Sequence, residues 1–347
     1  MPKPKTTIAD IAAAAGVSTA TVSKALNGKG RISEPMRRRI REIADSLSYS
    51  PNQMARALAR GEVRIAVLCP DVYPEYQDYI FKGIEEAFAA YRDAHVTGVY
   101  FRRHADAPAE RILADLDKIE TRGGIDGVVL QTDRLDAPTR DRLCSLTARG
   151  IPVVRLEGTL PDVPRAGFVM SNGLVMGRMA AQCLHALLGD DAPVALLTPD
   201  ASVELHEEFI RGFTEGTREY GLRMEAAWDT GHDADRLDGS IGRLLDVHPA
   251  LRGLYVSSAY AAPVCACLRR RGLAGKLKVI GQDLYPALAA CLRDGSLAAT
   301  LFQQQQAQGR RAVEMLLSTL SNRTVPLCGE YITPQLVMLS NLECYLY

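Results

Sequence analysis

No stretch of this 347-residue chain reaches the run of about 18 apolar residues that a membrane span requires. The start, MPKPK and an Ala-rich run, imitates a secretory leader. Asp10 interrupts that run, however, and residues 11–17 are too short a core for export. The eight cysteines are therefore expected to be free thiols in a reducing cytoplasm, behaving as small buried hydrophobes. Cys265 and Cys267 form the one close pair, with no His or second Cys pair at zinc-ligand spacing, so no metal site is expected. Walker loop, G-x-S-x-G elbow and H-E-x-x-H are all absent. His206-Glu207-Glu208-Phe209 is followed by Ile210, so the second zinc histidine is missing. The glycines at 123–127 precede an apolar run instead of following one, the wrong order for dinucleotide binding. The six histidines are scattered, and none pairs with a nearby Ser or Cys. The expectation is a chain that is not an enzyme and takes no cofactor.

Net charge is also lacking: 41 Lys and Arg balance 41 Asp and Glu. The balance hides a split. Residues 1–60 carry a net +7 and the remainder a net −7. A basic module that meets a polyanion, attached to a body that does not, fits this division. The length suits roughly two domains at about 150 residues each.

Three short helical patterns fill residues 7–48. Thr7 can cap the first, with Asp10 three positions on, and Ile8, Ile11, Ala12 and Ala15 form its apolar stripe. Gly16 ends it and Ser18 can cap the next, whose buried face is Val22, Ala25 and Leu26. Ser33 can cap a third, with Met36, Ile40, Ile43, Ala44 and Leu47 inside and Arg37, Arg38, Arg39 and Arg41 largely outside. Two helices joined by a tight Gly-containing turn in a basic unit match a helix-turn-helix. The second helix shows small or flexible polar groups outward: Thr19, Ala20, Ser23, Lys24 and Asn27. Such a stripe can enter a major groove without clashing.

The combination of AGVSTATVS, YSPN and ARALARG within residues 6–61 resembles the DNA-binding headpiece and hinge of the LacI/GalR (lactose-repressor) family of bacterial transcription regulators. The resemblance implies that Thr7, Ser18, Thr19, Ala20, Thr21, Ser23, Lys24 and Asn27 meet bases and phosphates, with Arg31 and Ser33 as further DNA contacts. Thr19 and Ala20 fall on specificity positions, where Ala20 offers only apolar contact, for instance to a thymine methyl. Pro51-Asn52 interrupts the third helix, and the short segment that follows is below the roughly 12–15 residues an isolated helix needs. In the family this segment is helical when two chains pair over DNA, and a Leu wedges into the minor groove. Leu58 matches that Leu, and Asn52 and Ala55 match its neighbours. A wedge of this kind unstacks and bends the duplex.

Beyond residue 62, apolar runs alternate with helical patterns. Candidate strands lie at 64–68, 96–101, 127–130, 152–156, 167–170, 194–197, 253–256, 278–280 and 299–302, the alternation of a parallel α/β sheet. Residues 66–86 and 195–215 share seven identities at a constant offset of 129, among them Pro70/Pro199, Asp71/Asp200, Glu75/Glu204 and Gly83/Gly212. Two like lobes, each opening strand–PD–loop–helix, account for this. Ligands bind beyond the carboxyl ends of parallel strands, so facing lobes make a cleft. Polar residues at those ends are the cleft candidates: Asp71, Tyr76, Gln131, Asp133, Ser171, Asn172, Asp200, His206, Ser257, Ser258, Asp283 and Gln303. Carboxylates and amides suit hydroxyl-rich ligands because each fixes a hydroxyl's direction.

The family resemblance extends over the body, which by that likeness resembles periplasmic sugar-binding proteins. It implies ligand contacts at Asp133, Asp283 and Gln303. It also marks departures: Phe209 stands where many relatives carry an Arg that grips the effector, Ala259 where many carry Asp, and Gln304 where an acid commonly follows the first Gln. Loss of the Arg argues against an anionic effector and for a neutral sugar or polyol.

The resulting expectation is an all-α helix-turn-helix headpiece (1–50), a hinge (51–61) and an α/β periplasmic-binding-protein-like body of two parallel-sheet lobes (62–347). Lobe one is expected at about 62–157 and 284–320, and lobe two at about 162–283 and 321–347, with crossings near 157–161, 281–283 and 321. The expected function is a cytoplasmic, DNA-binding regulator, a repressor of carbohydrate or polyol genes, whose affinity for double-stranded operator DNA a small-molecule effector changes. No leucine heptad follows the body, so a homodimer is expected. The alternative is a soluble sugar-binding receptor or sugar-acting enzyme with an N-terminal interaction module.

Overall fold

The computed structural model describes residues 8–26, 32–46, 62–71, 74–104, 110–132, 135–201, 203–230, 234–321 and 327–346. The chain divides into two compact units, Met1–Arg60 and Gly61–Tyr347.

The first unit contains α1 (Ile8–Ala15), α2 (Thr19–Leu26) and α3 (Glu34–Ser46). Ile11, Ala12, Ala15, Val22, Ala25, Ile40 and Ala44 form one buried cluster, with Met36 and Ile43 half-buried against it. These are positions that helical spacing assigns to the inside. Gly16 adopts a left-handed φ of 69°, which a side chain would disfavour. That turn lets the Val17 N–H reach back to the Ala12 carbonyl at 3.1 Å and close α1.

The second unit holds twelve described strands in two six-stranded sheets. The first lobe contains β1 (Val63–Asp71), α4 (Pro74–Ala90), β2 (Val96–His104), α5 (Glu110–Arg122), β3 (Gly127–Gln131), α6 (Ala137–Ala148), β4 (Val153–Leu156) and β5 (Ala166–Ser171). The second contains α7 (Gly173–Leu188), β6 (Pro193–Thr198), α8 (Glu204–Glu219), β7 (Arg223–Asp229), α9 (Ala234–Val247), β8 (Gly253–Val256), α10 (Ala261–Arg270), β9 (Lys278–Gln282), α11 (Pro286–Arg293) and β10 (Ala299–Phe302). Then α12 (Gln305–Ser321) and β11 (Gly329–Ile332) return to the first lobe, and β12 (Gln335–Val337) joins the second. The two sheets share one order, β2-β1-β3-β4-β5-β11 and β7-β6-β8-β9-β10-β12. All described pairings are parallel except that of β12 with β10.

Both faces of each sheet are covered, which is why the inner strands read as unbroken apolar runs. Along β6, Ala195 and Leu197 enter one cluster with α9, α10 and α11, while Val194 and Leu196 enter another with α7 and α8. Four of the eight free cysteines, Cys69, Cys265, Cys267 and Cys291, are buried, but Cys328 and Cys344 are exposed.

The lobe crossings differ from the sequence expectation. Residues 157–161 stay in the first lobe, because β5 pairs directly with β4. Here Leu160 and Val163 fill the core in place of a crossover helix. The chain instead crosses at 171–173. At 281–283 it remains in the second sheet, since Thr300 of β10 pairs with Gly281 of β9, and it crosses back at 303–305. The third crossing lies at 333–334 and not near 321, because β11 pairs with β5. Strands β7, β11 and β12 escaped the sequence reading. The first is an edge strand with no fully buried residue, and the others are three or four residues long.

The repeat reappears in helix packing. A Cβ on Gly83 of α4 would overlap the Gln306 carbonyl of α12, and one on Gly212 of α8 would overlap the Leu174 carbonyl of α7. Equivalent repeat positions thus bring equivalent helix pairs together. Gly83→Ala and Gly212→Ala are each expected to cost about 1–3 kcal/mol through overpacking. Urea unfolding checks this, and unchanged midpoints would show the helices free to move apart.

Candidate functional site

The first unit offers a helix to solvent. Ser18 caps α2, its Oγ accepting the Thr21 N–H at 3.1 Å. Ser18, Thr19, Ala20 and Lys24 are exposed and Thr21 is half-buried. The N-terminus of α2 therefore combines small side chains with the positive end of a helix dipole, a natural seat for phosphate oxygens. Arg38, Arg39 and Arg41 of α3 are exposed, and Ser33 stands just ahead of that helix. Ser23 lies within α2, where its side chain is outside the description. Thr7, Asn27, Arg31, Asn52, Ala55 and Leu58 lie outside the described residues, as does the expected hinge helix.

The second unit contains a cavity of about 470 Å³ between its two lobes, at the carboxyl ends of their strands. From lobe one it is lined by Tyr76, Gln77, Gln131 and Glu157. From lobe two come Pro199, Val203, Leu205, His206, Phe209, Ser257, Ser258, Ala259, Tyr260, Gln282, Asp283 and Gln303. Of the sequence candidates, Tyr76, Gln131, His206, Phe209, Ser257, Ser258, Asp283 and Gln303 meet here. The side chain of Asp71 is not among those described, and Asp133 lies outside the described residues.

Ser171 and Asn172 do not line the cavity, contrary to expectation. They sit at a lobe crossing, where backbone needs consume them. The Ser171 hydroxyl donates to the Gln303 carbonyl at 3.0 Å, and Asn172 Oδ1 caps α7 by accepting the Val175 N–H at 3.0 Å. Asp200 is also absent from the lining; its carbonyl meets His206 Nδ1 at 2.7 Å.

Gln77, Glu157, Tyr260 and Gln282 are polar lining residues that sequence reasoning missed. The repeat could have found Gln77, because it occupies the position equivalent to His206. Glu157 follows β4 just as Asp283 follows β9, and both adopt left-handed backbone, φ 60° and 70°.

Burial governs the electrostatics. Desolvation, and secondarily the charge of Asp283, pushes the Glu157 carboxyl up to about 8. Desolvation raises Asp283 to about 7, against the lowering effect of hydrogen bonds from Gln303 and Gln305. Both groups hold a proton in the folded chain over a range where the unfolded chain has released it. Stability is therefore expected to fall as pH rises from the ordinary carboxylate range to about 8. Glu157→Gln is expected to flatten that slope. Urea unfolding of both proteins across this pH range checks it, and stability that rises with pH would contradict it.

A second group of contacts ties the lobes beside the cavity. Arg155 of β4 is fully buried. Its guanidinium donates to the Thr159 carbonyl at 2.8 Å, the Thr132 carbonyl at 3.0 Å and Glu204 Oε2 at 3.0 Å. Glu204 is the first residue of α8 in the other lobe, and it also accepts the Thr159 N–H and hydroxyl. Gly158 lies so close that a Cβ there would strike the guanidinium. Glu204→Gln strips a buried cation of its counter-charge. A loss of about 1–3 kcal/mol is expected, the cost of an under-satisfied buried donor. Thermal unfolding reads it, and an unchanged melting point would mean the pair contributes nothing net.

Residues 7–52 match the description "Bacterial regulatory proteins, lacI family", and residues 65–324 match "Periplasmic binding protein domain". The ribose operon repressor of Bacillus subtilis is 26% identical over 323 residues, 91% of this chain and 92% of that protein. The HTH-type transcriptional repressor PurR of Aliivibrio fischeri is 23% identical, again over 91% and 92%. A solved solute-binding protein of an ABC transporter from Burkholderia graminis, in complex with D-arabinose, shares the fold. Its TM-score is 0.74 at 20% identity, covering 82% of this chain and 98% of that one. A putative LacI transcriptional regulator from Bacteroides fragilis superposes at TM-score 0.69 and 19% identity, covering 82% and 100%. With a helix-turn-helix match ahead of a binding-protein match, and repressors as relatives along nine-tenths of its length, the chain belongs to the LacI/GalR (lactose-repressor) family and is a DNA-binding transcription regulator.

Proposed function

We propose that this protein is a cytoplasmic, homodimeric repressor of carbohydrate or polyol genes, released or engaged by a small molecule bound in the cleft. The observation that carries the reading is the capped, solvent-facing α2, in one chain with a two-lobed body whose cavity is polar on both walls. Two headpieces would occupy neighbouring major grooves of a near-palindromic operator, with Ser18, Thr19, Ala20, Thr21, Ser23, Lys24 and Asn27 as the reading and phosphate contacts. Thr7, Arg31 and Ser33 would add further DNA contacts. Asn52, Ala55 and Leu58 would form the hinge contacts, with Leu58 as a minor-groove wedge.

Relatives that include a ribose operon repressor support a sugar-type effector. So does a wall of amides, hydroxyls and carboxylates, each able to fix the direction of a ligand hydroxyl. Effector binding would bias how the lobes sit, and the hinge would pass that bias to the headpieces. Coupling of this kind is typically about 1–3 kcal/mol, about 5–150-fold in affinity.

Operator titration at several salt concentrations tests the DNA half of the reading. Affinity is expected to fall steeply with salt as Lys and Arg displace condensed counterions. Lys24→Ala is expected to cost about 1–3 kcal/mol of preference for operator over unrelated DNA. A response flat in salt, or a preference untouched by the substitution, would contradict the placement of α2 in the groove.

A further inference from the structure

Two carboxylates stand on the cavity wall and orient the amides beside them. Glu157 comes from the first lobe and Asp283 from the second, and no lysine or arginine is found among the described lining residues. Each carboxylate claims amide N–H groups. Gln131 Nε2 donates to Glu157 Oε2, so Gln131 presents its Oε1 the other way and accepts from Gln77 Nε2. Asp283 Oδ1 accepts from Gln303 Nε2 at 2.9 Å and from Gln305 Nε2 at 2.6 Å. The direction of both chains is thus set by the acid at the end. An amide oxygen on each wall is left over, as is the Tyr76 hydroxyl. Gln77 Oε1 and Gln303 Oε1 are buried with no hydrogen-bond partner, on residues only 1% and 2% exposed. Buried acceptors left in that state are costly, and any group that reaches them must be a donor.

We propose that the ligand of this cleft carries a protonated amine, as an amino sugar or amino polyol does, with its ammonium held between Glu157 and Asp283. This rests on the cleft being the effector site and narrows the class of effector. An ammonium is three donors and no acceptor, the complement of the two carboxylates. Its charge also answers two carboxylates with no lysine or arginine among the described lining residues. Because one acid belongs to each lobe, the ammonium bridges the lobes directly, whereas a neutral hydroxyl leaves the two carboxyls to repel or to share protons. The raised carboxyls support the same geometry: they retain protons that an entering cation displaces. Tyr76, His206 and Tyr260 are the other titratable groups on the wall.

The test uses the full chain and a fixed set of probes: D-glucosamine, D-galactosamine and D-mannosamine, each against its parent neutral sugar and the matching uronate. Thermal shift and isothermal titration calorimetry read binding, the latter in buffers of different ionisation enthalpy. At least one amino sugar is expected to bind about tenfold or more tightly than its parent, to release protons on binding, and to lose that advantage in Glu157→Gln and in Asp283→Asn. Glu157→Gln is isosteric and serves if the Asp283 variant does not fold. Three results would overturn the proposal: a neutral parent that binds as well as its amine, a uronate that binds best, or a set in which no amine binds. Operator affinity measured alongside keeps the two readings apart. An amine that binds without altering operator affinity would count against the effector reading and leave the amine site standing. A neutral sugar that binds and alters it would do the reverse.

Discussion

Parallel strands covered on both faces have only their carboxyl ends to offer to solvent chemistry. Everything distinctive about the body follows from that constraint. Two sheets of the same order aim those ends at one another, and the polar residues that cannot enter either core collect between them. The cavity is therefore a consequence of the packing on both sides and not an insertion added to it.

Within that space, two charged arrangements are set side by side with opposite logic. Arg155 is buried and Glu204 half-exposed, and the two satisfy each other, with Thr159 and Thr132 taking further hydrogen bonds. They hold the lobes in register at the mouth of α8, the helix that carries His206 and Phe209 to the cavity. Glu157, two residues beyond Arg155 in the chain, faces Asp283 with amide donors but no lysine or arginine among the described lining residues, and both carboxyls are raised. Strongly perturbed acids in a cleft are the kind of group that functional sites collect. The short loop after β4 thus carries one contact that fixes the lobes and one that awaits a ligand.

Much of this was legible in the residues. The headpiece core followed from helical spacing, and the Gly16 turn and Ser18 cap from the chemistry of those two side chains. The repeat at offset 129 foretold two lobes of like build, and Gly83 and Gly212 turned out to serve the same helix contact in each. Strand-end reasoning placed Gln131, His206, Ser258, Asp283 and Gln303 at the cavity. It failed at Ser171 and Asn172 because a polar residue after a strand can equally be spent on a crossing or a helix cap. The lobe crossings were misjudged for a related reason. A loop held down by Leu160 and Val163 leaves no periodic signal, and the edge strands β11 and β12 are too short to show one. Glu157 was hidden by the same error, since its loop was assigned to a crossing and not to a strand end.

The account stands on coupling between the cleft and DNA binding. Its most direct test is operator affinity, read by fluorescence anisotropy on the full chain, with and without a saturating ligand that raises the melting point of the protein. A change of about 5–150-fold is expected. An operator affinity unmoved while the ligand is demonstrably in the cleft would contradict it.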